Sequence, residues 1–591
     1  MAVFPQEIIN MIVKECQDPG TLWNLLTVSP ACQRVVEERL WKKRSDIRIT
    51  RDYHVDIIKR YTGHRSRFLR RITLEQDLRK LTRERDDPEI SCRPTADEVR
   101  ENDELFTNRI RAVFTAIKAW EIGLDDEAAV QRLNITLIIK GPHQLFDPWD
   151  GLVCFHRRYH SWRLHLLQPE TLPTLQSVKK LAVDQDVHDD GPYYDTSLVR
   201  SRSYLHPVDL RLALDLLDKL PNCQTLAHID IHDSPPWPHN EGRRPPVLSH
   251  LSRPYEGPRR DSRHDFARGV EERASFFSST SPGTPLYPSL KSLTTHLGRN
   301  HIDHGELYTN QTLPLPDLVT PDPKPITAGD AVTSPPANST DDPLSSSLRT
   351  LSQSLVTFEV RGCLGKSIFW PSSTTTSMTA QTPFWPHLTN LSVEFDSAHP
   401  RGTWFFQAPH PFSSPETEGV RITQDHYPPF LPNGRDKDWC DSYVIRGGLY
   451  ERKSPDMFRI RPVDAAVNEL LEAFARALER MPLIKKAEVY TLLYWCPRDF
   501  DMGLFFEDDH APFDRSNEEC CGSRVRKSAE KCHWWGVKYE DGDVRKGTKR
   551  RLEWKVGDWR PSEKVLDMVR RAVGGGIGGK GVELVEEWCK V

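Results

Sequence analysis

A short phrase recurs along this chain, in which a proline is followed by alternating apolar and polar residues. Alternation with a period of two is typical of a strand that buries one face. The phrase predicts a series of short strands, each preceded by a turn. The clearest copies are residues 173–183, 221–231, 288–297, 386–395 and 482–492, and looser copies are residues 68–75, 132–140 and 354–360.

Segments with helical periodicity lie between several of these phrases. Residues 208–220 and 463–481 carry apolar stripes at i, i+3 and i+4 and lead directly into a proline. A longer helix is expected at 95–121, where Thr95 and Glu98 form a capping box. Stacked units of helix, turn and strand bury a continuous core. We therefore expect an α/β fold.

The units resemble a degenerate leucine-rich repeat. Their prolines are separated by far more than the about 20 to 29 residues of a regular repeat, so the predicted array is irregular. The alternative is an ordinary open α/β sheet. Parallel strands covered on both faces would be more continuously apolar than these.

The composition predicts long insertions in this array. Only 37% of the 591 residues are hydrophobic, and the mean hydropathy is -0.58. Segments rich in proline, serine and aspartate cannot bury enough apolar surface to offset the entropy of ordering. We expect disordered insertions at residues 232–262, 311–347 and 372–382.

Three short helices are predicted at the N-terminus. Pro5, Pro19 and Pro30 each stand where a helix can begin, and Asp18 and Ser29 are suitable N-caps. Each predicted helix has an apolar stripe. A segment of about 40 residues scarcely buries a self-sufficient core. These helices should therefore pack against something else, either a partner or the rest of the chain, where they would serve as a helical cap.

The order of apolar residues in this segment resembles an F-box. The resemblance covers about residues 2 to 49, with Phe-Pro where the family usually opens with Leu-Pro. It implies a three-helix module that binds the Skp adaptor of a cullin-RING ubiquitin ligase, while the rest of the chain holds a protein substrate. The residues implied to contact the adaptor are Phe4, Pro5, Ile8, Ile12, Leu22, Leu25 and Val28. Trp41 is expected to pack inside the module or against the next one.

The resulting expectation is a non-catalytic adaptor of an SCF-type ligase, with Skp, a cullin and a protein substrate as partners. The alternative is an interaction scaffold that joins no ligase. Residues 1–49 form the F-box-like module, 50–481 the repeat-like region and 573–591 a glycine-rich tail. Residues 482–572 are rich in aromatic side chains. We expect these either to cover the exposed end of the array or to bind the substrate.

The sequence offers little for catalysis. It contains no P-loop, GxGxxG, HExxH or GxSxG motif. The glycine-rich stretch 574–581 is predicted to be a flexible linker. We expect no cofactor and no metal. A metal-dependent hydrolase remains the least favoured alternative. It would use His228, Asp230 and His232 as metal ligands. Other ligand-like groups are His301, Asp303 and His304, and Cys520, Cys521, Cys532 and His533, whose spacing matches no zinc-binding pattern.

Charge and cysteine usage indicate an intracellular protein. The net charge of -4 and the pI near 6.6 provide no overall attraction for nucleic acid or an anionic membrane. No apolar run approaches the ~20 residues that span a bilayer. The 12 cysteines are scattered, as reduced thiols are. The cytoplasm is expected, and the basic cluster Lys546, Lys549, Arg550 and Arg551 leaves nuclear entry open.

Overall fold

The fold was analysed in a computed structural model of the chain. The residues that the structure describes are 5–16, 18–42, 45–78, 96–124, 127–141, 143–144, 164–184, 208–232, 259–280, 285–298, 317–320, 341–372, 382–408, 459–495, 531–542, 549–574 and 584–588.

Three helices form at the N-terminus, where the prolines predict them: α1 (Gln6–Glu15), α2 (Pro19–Leu25) and α3 (Pro30–Lys42). Asp18 caps α2 by accepting hydrogen bonds from the Thr21 amide at 2.6 Å and its hydroxyl at 2.8 Å. These hydrogen bonds lower the pKa of Asp18. Arg39 of α3 donates to the Cys16 carbonyl at 2.8 Å, which ties α3 to the C-terminus of α1. We call residues 5–42 the N-terminal module.

The rest of the chain alternates between helices and strands. The strands are β1 (Asp46–Ile49), β2 (Arg71–Leu74), β3 (Asp77–Leu78), β4 (Ile135–Lys140), β5 (His143–Gln144), β6 (Val178–Asp184), β7 (Thr225–His232), β8 (Ser292–Gly298), β9 (Thr357–Gly362), β10 (Asn390–Phe395), β11 (Phe406–Gln407), β12 (Arg461–Pro462), β13 (Lys486–Trp495), β14 (Lys531–Glu540), β15 (Arg550–Lys555) and β16 (Leu584–Trp588). The helices are α4 (Ala96–Ile122), α5 (Glu127–Arg132), α6 (Leu212–Leu217), α7 (Arg259–Thr280), α8 (Pro343–Ser352), α9 (Asp464–Leu478) and α10 (Glu563–Gly574). Short 3-10 helices occupy Asp52–Arg60, Gly63–Phe68, Pro169–Thr171 and Lys366–Ile368.

Within the described residues, one sheet contains 12 strands, and their spatial order follows the order of the chain. It runs β1-β2-β4-β6-β7-β8-β9-β10-β13-β14-β15-β16, and the pairs from β1 to β13 are parallel. β14 is antiparallel to β13 and β15, and β16 is parallel to β15. Two small sheets, β3-β5 and β11-β12, complete the set. The α/β expectation is therefore confirmed as a mixed fold with a large, mostly parallel sheet.

The strands bury one face far more than the other. β4, β9 and β10 alternate between buried and partly exposed residues along their length. The buried positions align across the sheet and belong to one core with residues from the helices. One such row contains Ile47, Ile72, Leu137, Leu181, Leu226, Leu293, Phe358 and Leu391. This alternation differs from the continuously apolar strands of a parallel sheet covered on both faces.

A repeated turn connects the proline of each phrase to its strand. Leu175, Leu290 and Leu388 are buried just before β6, β8 and β10. The residue before the strand then donates its amide to the same position one strand earlier, as Gln224 does to Lys179 at 2.7 Å and Lys291 to Gln224 at 2.9 Å. The turn therefore sets where each strand begins relative to its neighbour.

Two boundaries differ from the sequence expectation. The helix expected at 208–220 spans only Leu212–Leu217. The expected insertions overlap helices at their ends, because residues 259–262 belong to α7 and residues 343–347 to α8. The remainder of the three insertions lies largely outside the described residues. The composition was misleading at α8 because a proline at its first turn and a run of serines resemble a loop.

A buried ion pair explains why α8 forms in this polar segment. Asp342 caps α8 by accepting from the amide of Ser345 at 3.0 Å, and the Ser345 hydroxyl also donates to it. Arg263 of α7 donates to the same carboxylate at 2.7 Å and to the carbonyl of Cys363 at 2.9 Å. Burial alone would raise the pKa of Asp342, but Arg263 and Ser345 outweigh it and the pKa lies below its usual value.

We predict that Asp342→Ala lowers the free energy of unfolding by about 3 to 5 kcal/mol, because it leaves Arg263 buried without its partner. Because the pKa of Asp342 is lower in the folded state, its carboxylate stabilises the fold at pH values above its unfolded-state pKa of about 3.9. This stabilisation is lost as the pH falls through the folded-state pKa. Urea unfolding at pH 7 and at pH 3 measures both effects.

The matched control is Asp56→Ala, which removes the exposed pair with Lys59 and should change the stability little. The difference in the free energy of unfolding between wild type and Asp342→Ala should be smaller at pH 3 than at pH 7. Equal stability of the two variants at pH 7 would contradict this account of α8.

Candidate partner-binding surfaces

The N-terminal module exposes several large apolar side chains. Helix α1 buries Ile9 and Val13, yet it also leaves Ile8, Met11 and Ile12 exposed by 37%, 60% and 43%. Trp23 of α2 and Val28, just after it, are exposed by 55% and 66%. Exposed apolar groups gathered on one small unit are typical of an interaction surface.

The structure divides the residues implied by the F-box resemblance into two groups. Pro5, Ile8, Ile12 and Val28 are exposed. Leu22 is only 5% exposed and lies in the module's own core, where the partly buried Leu25 packs against it. Phe4 lies outside the described residues. The sequence reasoning missed Met11 and Trp23, although both are large apolar residues outside the buried stripe of their helix.

The module contacts the remainder of the chain through α3. Glu37 is buried and accepts a hydrogen bond from Arg65 in the 3-10 helix Gly63–Phe68. The Arg65 guanidinium lies 5.4 Å from the centroid of the Trp41 ring, which meets the Tyr61 ring edge-on at 4.7 Å. Trp120 of α4 donates to the Tyr61 carbonyl at 2.6 Å. Trp41 therefore joins the module to the main core.

The less buried face of the sheet carries a cross-strand network of polar groups. Glu394 of β10 contacts Arg361 of β9 at 3.1 Å and accepts from the Tyr490 hydroxyl of β13 at 3.3 Å. Glu488 accepts from Ser392 at 2.7 Å. Burial and the two neighbouring carboxylates raise the pKa of Tyr490. The charges on this face therefore largely satisfy one another.

His296 extends this network to β8. It forms a hydrogen bond with Glu359 of β9 at 3.2 Å, which lowers the pKa of that carboxyl group. Together, these contacts link strands β8, β9, β10 and β13 along one face.

An aromatic pair lies beside this network. The Tyr490 ring stacks on the Trp534 ring with centroids 5.3 Å apart, and the Lys555 ammonium lies 5.1 Å from the Trp534 centroid. Trp535, Tyr539 and Trp554 are instead buried in the core. The C-terminal aromatics thus divide between the core and the open face.

Gly536 allows β14 to lie close to β13 beside this aromatic pair. It lies opposite Tyr490 in the antiparallel ladder. A Cβ atom at position 536 would lie 2.3 Å from the Val489 carbonyl oxygen and 2.7 Å from the Tyr490 Cα. Both neighbours belong to the backbone of a central strand, so neither can move without shifting the sheet.

We predict that Gly536→Ala lowers the free energy of unfolding by about 1 to 3 kcal/mol, because the added methyl group overpacks β13 against β14. Chemical denaturation monitored by tryptophan fluorescence measures this change. Gly574→Ala is the matched control, since no atom lies within 4 Å of a Cβ placed there. A Gly536→Ala protein as stable as the control would contradict the close approach.

The candidate metal ligands do not form a described site. The backbone of His228, Asp230 and His232 belongs to β7, and that of Cys532 and His533 to β14. The His301, Asp303 and His304 cluster and the Cys520 and Cys521 pair lie outside the described residues. The side chains that the structure describes include no group of three or more His, Cys, Asp or Glu residues arranged to hold a metal ion.

The C-terminal basic cluster is partly engaged in internal contacts. Arg550 is buried and contacts Asp541 at 3.0 Å, and Arg551 contacts Glu587 at 3.5 Å. Lys546 lies outside the described residues. Arg550 and Arg551 are therefore already paired.

Comparison with protein-family models gives no match, and comparison with curated proteins finds no similar sequence. Among the described helices, none combines the length and apolar character needed to cross a membrane.

Proposed function

We propose that this protein is the substrate-recognition adaptor of an SCF-type ubiquitin ligase. In this proposal the N-terminal module binds the Skp adaptor, and the α/β body holds a protein target. The exposure of Ile8, Ile12 and Val28 is the observation that carries the proposal, because these are residues that the F-box resemblance assigns to the adaptor contact.

The packing of the module supports this role. Its own core contains the buried residues Ile9, Val13, Leu22 and Val36. Ile8 and Ile12 belong to the same helix as two of these residues but remain exposed, so α1 has apolar side chains beyond those that its own core uses. Covering them would remove apolar surface from water, which stabilises a complex by about 25 cal/mol per Å².

The body has properties suited to presenting a target. Its strands follow one another in chain order, as stacked units of a leucine-rich-repeat-like array do. The polar face of the sheet stays partly open. An adaptor of this kind needs no catalytic residue of its own, because other subunits transfer the ubiquitin.

We predict that Ile8→Glu/Ile12→Glu abolishes recovery of Skp and cullin in a pull-down with the full-length chain. Each lost apolar anchor at a binding hot spot costs roughly 2 kcal/mol or more, and the two charges would also require desolvation. Circular dichroism before the pull-down checks that the variant retains its helices.

The matched control is Gln6→Glu/Asn10→Glu. These side chains lie on the same helix with the same spacing, are exposed, and hydrogen-bond to each other at 3.1 Å. The control and wild type should both recover Skp and cullin. Recovery of neither partner by wild type would refute the adaptor role. Recovery of Skp without cullin would instead indicate a scaffold that joins no ligase.

A further inference from the structure

Basic residues recur where the parallel strands begin. β2 begins with Arg71, preceded by Arg70, and β13 begins with Lys486, preceded by Lys485. Lys179 and Lys180 lie near the start of β6, and Lys291 directly precedes β8. The sequence contains this pattern as RR, KK, K and KK, each next to the first apolar residues of a strand.

The backbone brings these residues into two adjacent rows. The amide of Gln224 donates to Lys179, Lys291 to Gln224, Val356 to Lys291, Thr389 to Val356, and Lys485 to Thr389. The next row contains Arg71, Thr136, Lys180, Thr225, Ser292, Thr357, Asn390 and Lys486, which are paired in register. We call these two rows, from β2 to β13, the amino-end band.

The amino-end band has a single sign of charge. It contains arginine, lysine, threonine, serine, asparagine and glutamine together with the apolar Ile135 and Val356, but no aspartate or glutamate. Acidic residues occur at its two ends, where Asp46 contacts Arg71 at 3.2 Å and Glu540 belongs to β14. Lys486 also contacts Glu488, two residues farther along β13, at 3.5 Å. The band is therefore positive although the chain carries a net charge of -4.

Four of the basic side chains are available to a partner. Arg70, Lys180, Lys291 and Lys485 are exposed, and none of them forms an ion pair within the described part of the chain. A row of unpaired cations attracts carboxylates and disfavours a basic partner, so it contributes to the choice of partner and to the rate of association.

We propose that the amino-end band binds an acidic segment of a target protein. The aspartate and glutamate carboxylates of that segment would contact the basic side chains of the band. The proposal deepens the function proposed above, on which it rests, by naming the chemical class of the target. It concerns a different surface from the N-terminal module.

The spacing of the cations fits an extended peptide that crosses the strands. Neighbouring strands lie about 4.8 Å apart, so the basic positions of β2, β6 and β8, each two strands from the next, recur at about 9.6 Å. A peptide in the polyproline II conformation rises about 3.1 Å per residue with three residues per turn, so every third side chain lies on the same side and recurs at about 9.3 Å. Acidic residues at every third position would each meet a cation, while Thr136, Thr225 and Thr357 provide hydroxyl groups between them.

The chemistry of the band favours carboxylates over phosphates and nucleic acid. Lysine predominates, and its ammonium acts as a single point charge, whereas planar bidentate recognition of phosphate favours clustered arginines. The single-file arrangement suits a series of singly charged groups.

Fluorescence anisotropy with the full-length chain tests the proposal. The probe is a labelled peptide of about 15 residues with glutamate at every third position, between serine and glycine, following the spacing above. A glutamine peptide, a phosphoserine peptide and single-stranded DNA of similar length are the comparison probes. We predict binding of the glutamate peptide that weakens as salt is added.

Lys180→Glu/Lys291→Glu should weaken that binding about tenfold or more, because two attractive contacts become repulsive. Arg132→Glu/Arg571→Glu is the matched control, since it changes the net charge equally at exposed helical positions. Its affinity should equal that of wild type. Both variants should still recover Skp if the function proposed above is correct, so the two proposals can fail separately.

Several outcomes would overturn the proposal. Equal affinity for the glutamine and glutamate peptides would show that carboxylates are not recognised. An equal loss of affinity in both charge-reversal variants would show that only net charge matters. Binding of the phosphoserine peptide alone would assign the band to phosphate, and tighter binding of DNA than of the glutamate peptide would assign it to nucleic acid.

Discussion

The register between neighbouring parallel strands is the constraint on which the rest of this structure depends. Side chains alternate between the two faces of a strand, so a slip of one residue would move every inner apolar residue to the open face. The buried leucine before a strand and the backbone hydrogen bond to the preceding strand oppose such a slip, as at Leu290 and Lys291. Because this turn recurs, the inner row stays apolar from β1 to β10.

The same register organises the open face. Residues that are far apart in the chain come into line because they occupy equivalent positions in successive strands, as Lys180 and Lys486 do. A charge pattern that looks scattered in the sequence becomes a row in the structure. Farther along the strands the charges pair with each other, as Arg361 does with Glu394. The open face thus has a paired region next to the second row of the amino-end band.

Part of this fold could be predicted from the sequence. The strands β6, β7, β8, β10 and β13 begin within the five clearest proline phrases, because a turn and a period-two pattern are local properties. Helix α4 also lies within one residue of its expected range. Helix α8 could not be predicted from composition, since Asp342 caps it and is held by Arg263, which is distant in the chain.

The candidate surfaces were harder to predict for a similar reason. Leu22 and Ile12 are both apolar residues at helical spacing, and only the packing of the three helices makes one buried and the other exposed. The basic pairs at the strand starts are visible in the sequence, but their alignment requires the register. Local patterns therefore predict elements well, whereas a surface depends on contacts between distant segments.

Net charge is a poor guide to what such a protein binds. At physiological ionic strength the Debye length is about 8 Å, so exposed charges farther apart than this are largely screened from each other. The amino-end band spans eight strands, which at about 4.8 Å per step is several Debye lengths. Acidic residues beyond the two ends of the band are therefore largely screened from its centre. A partner that approaches the start of β6 and β8 meets the lysines there, whatever the sum over all 591 residues.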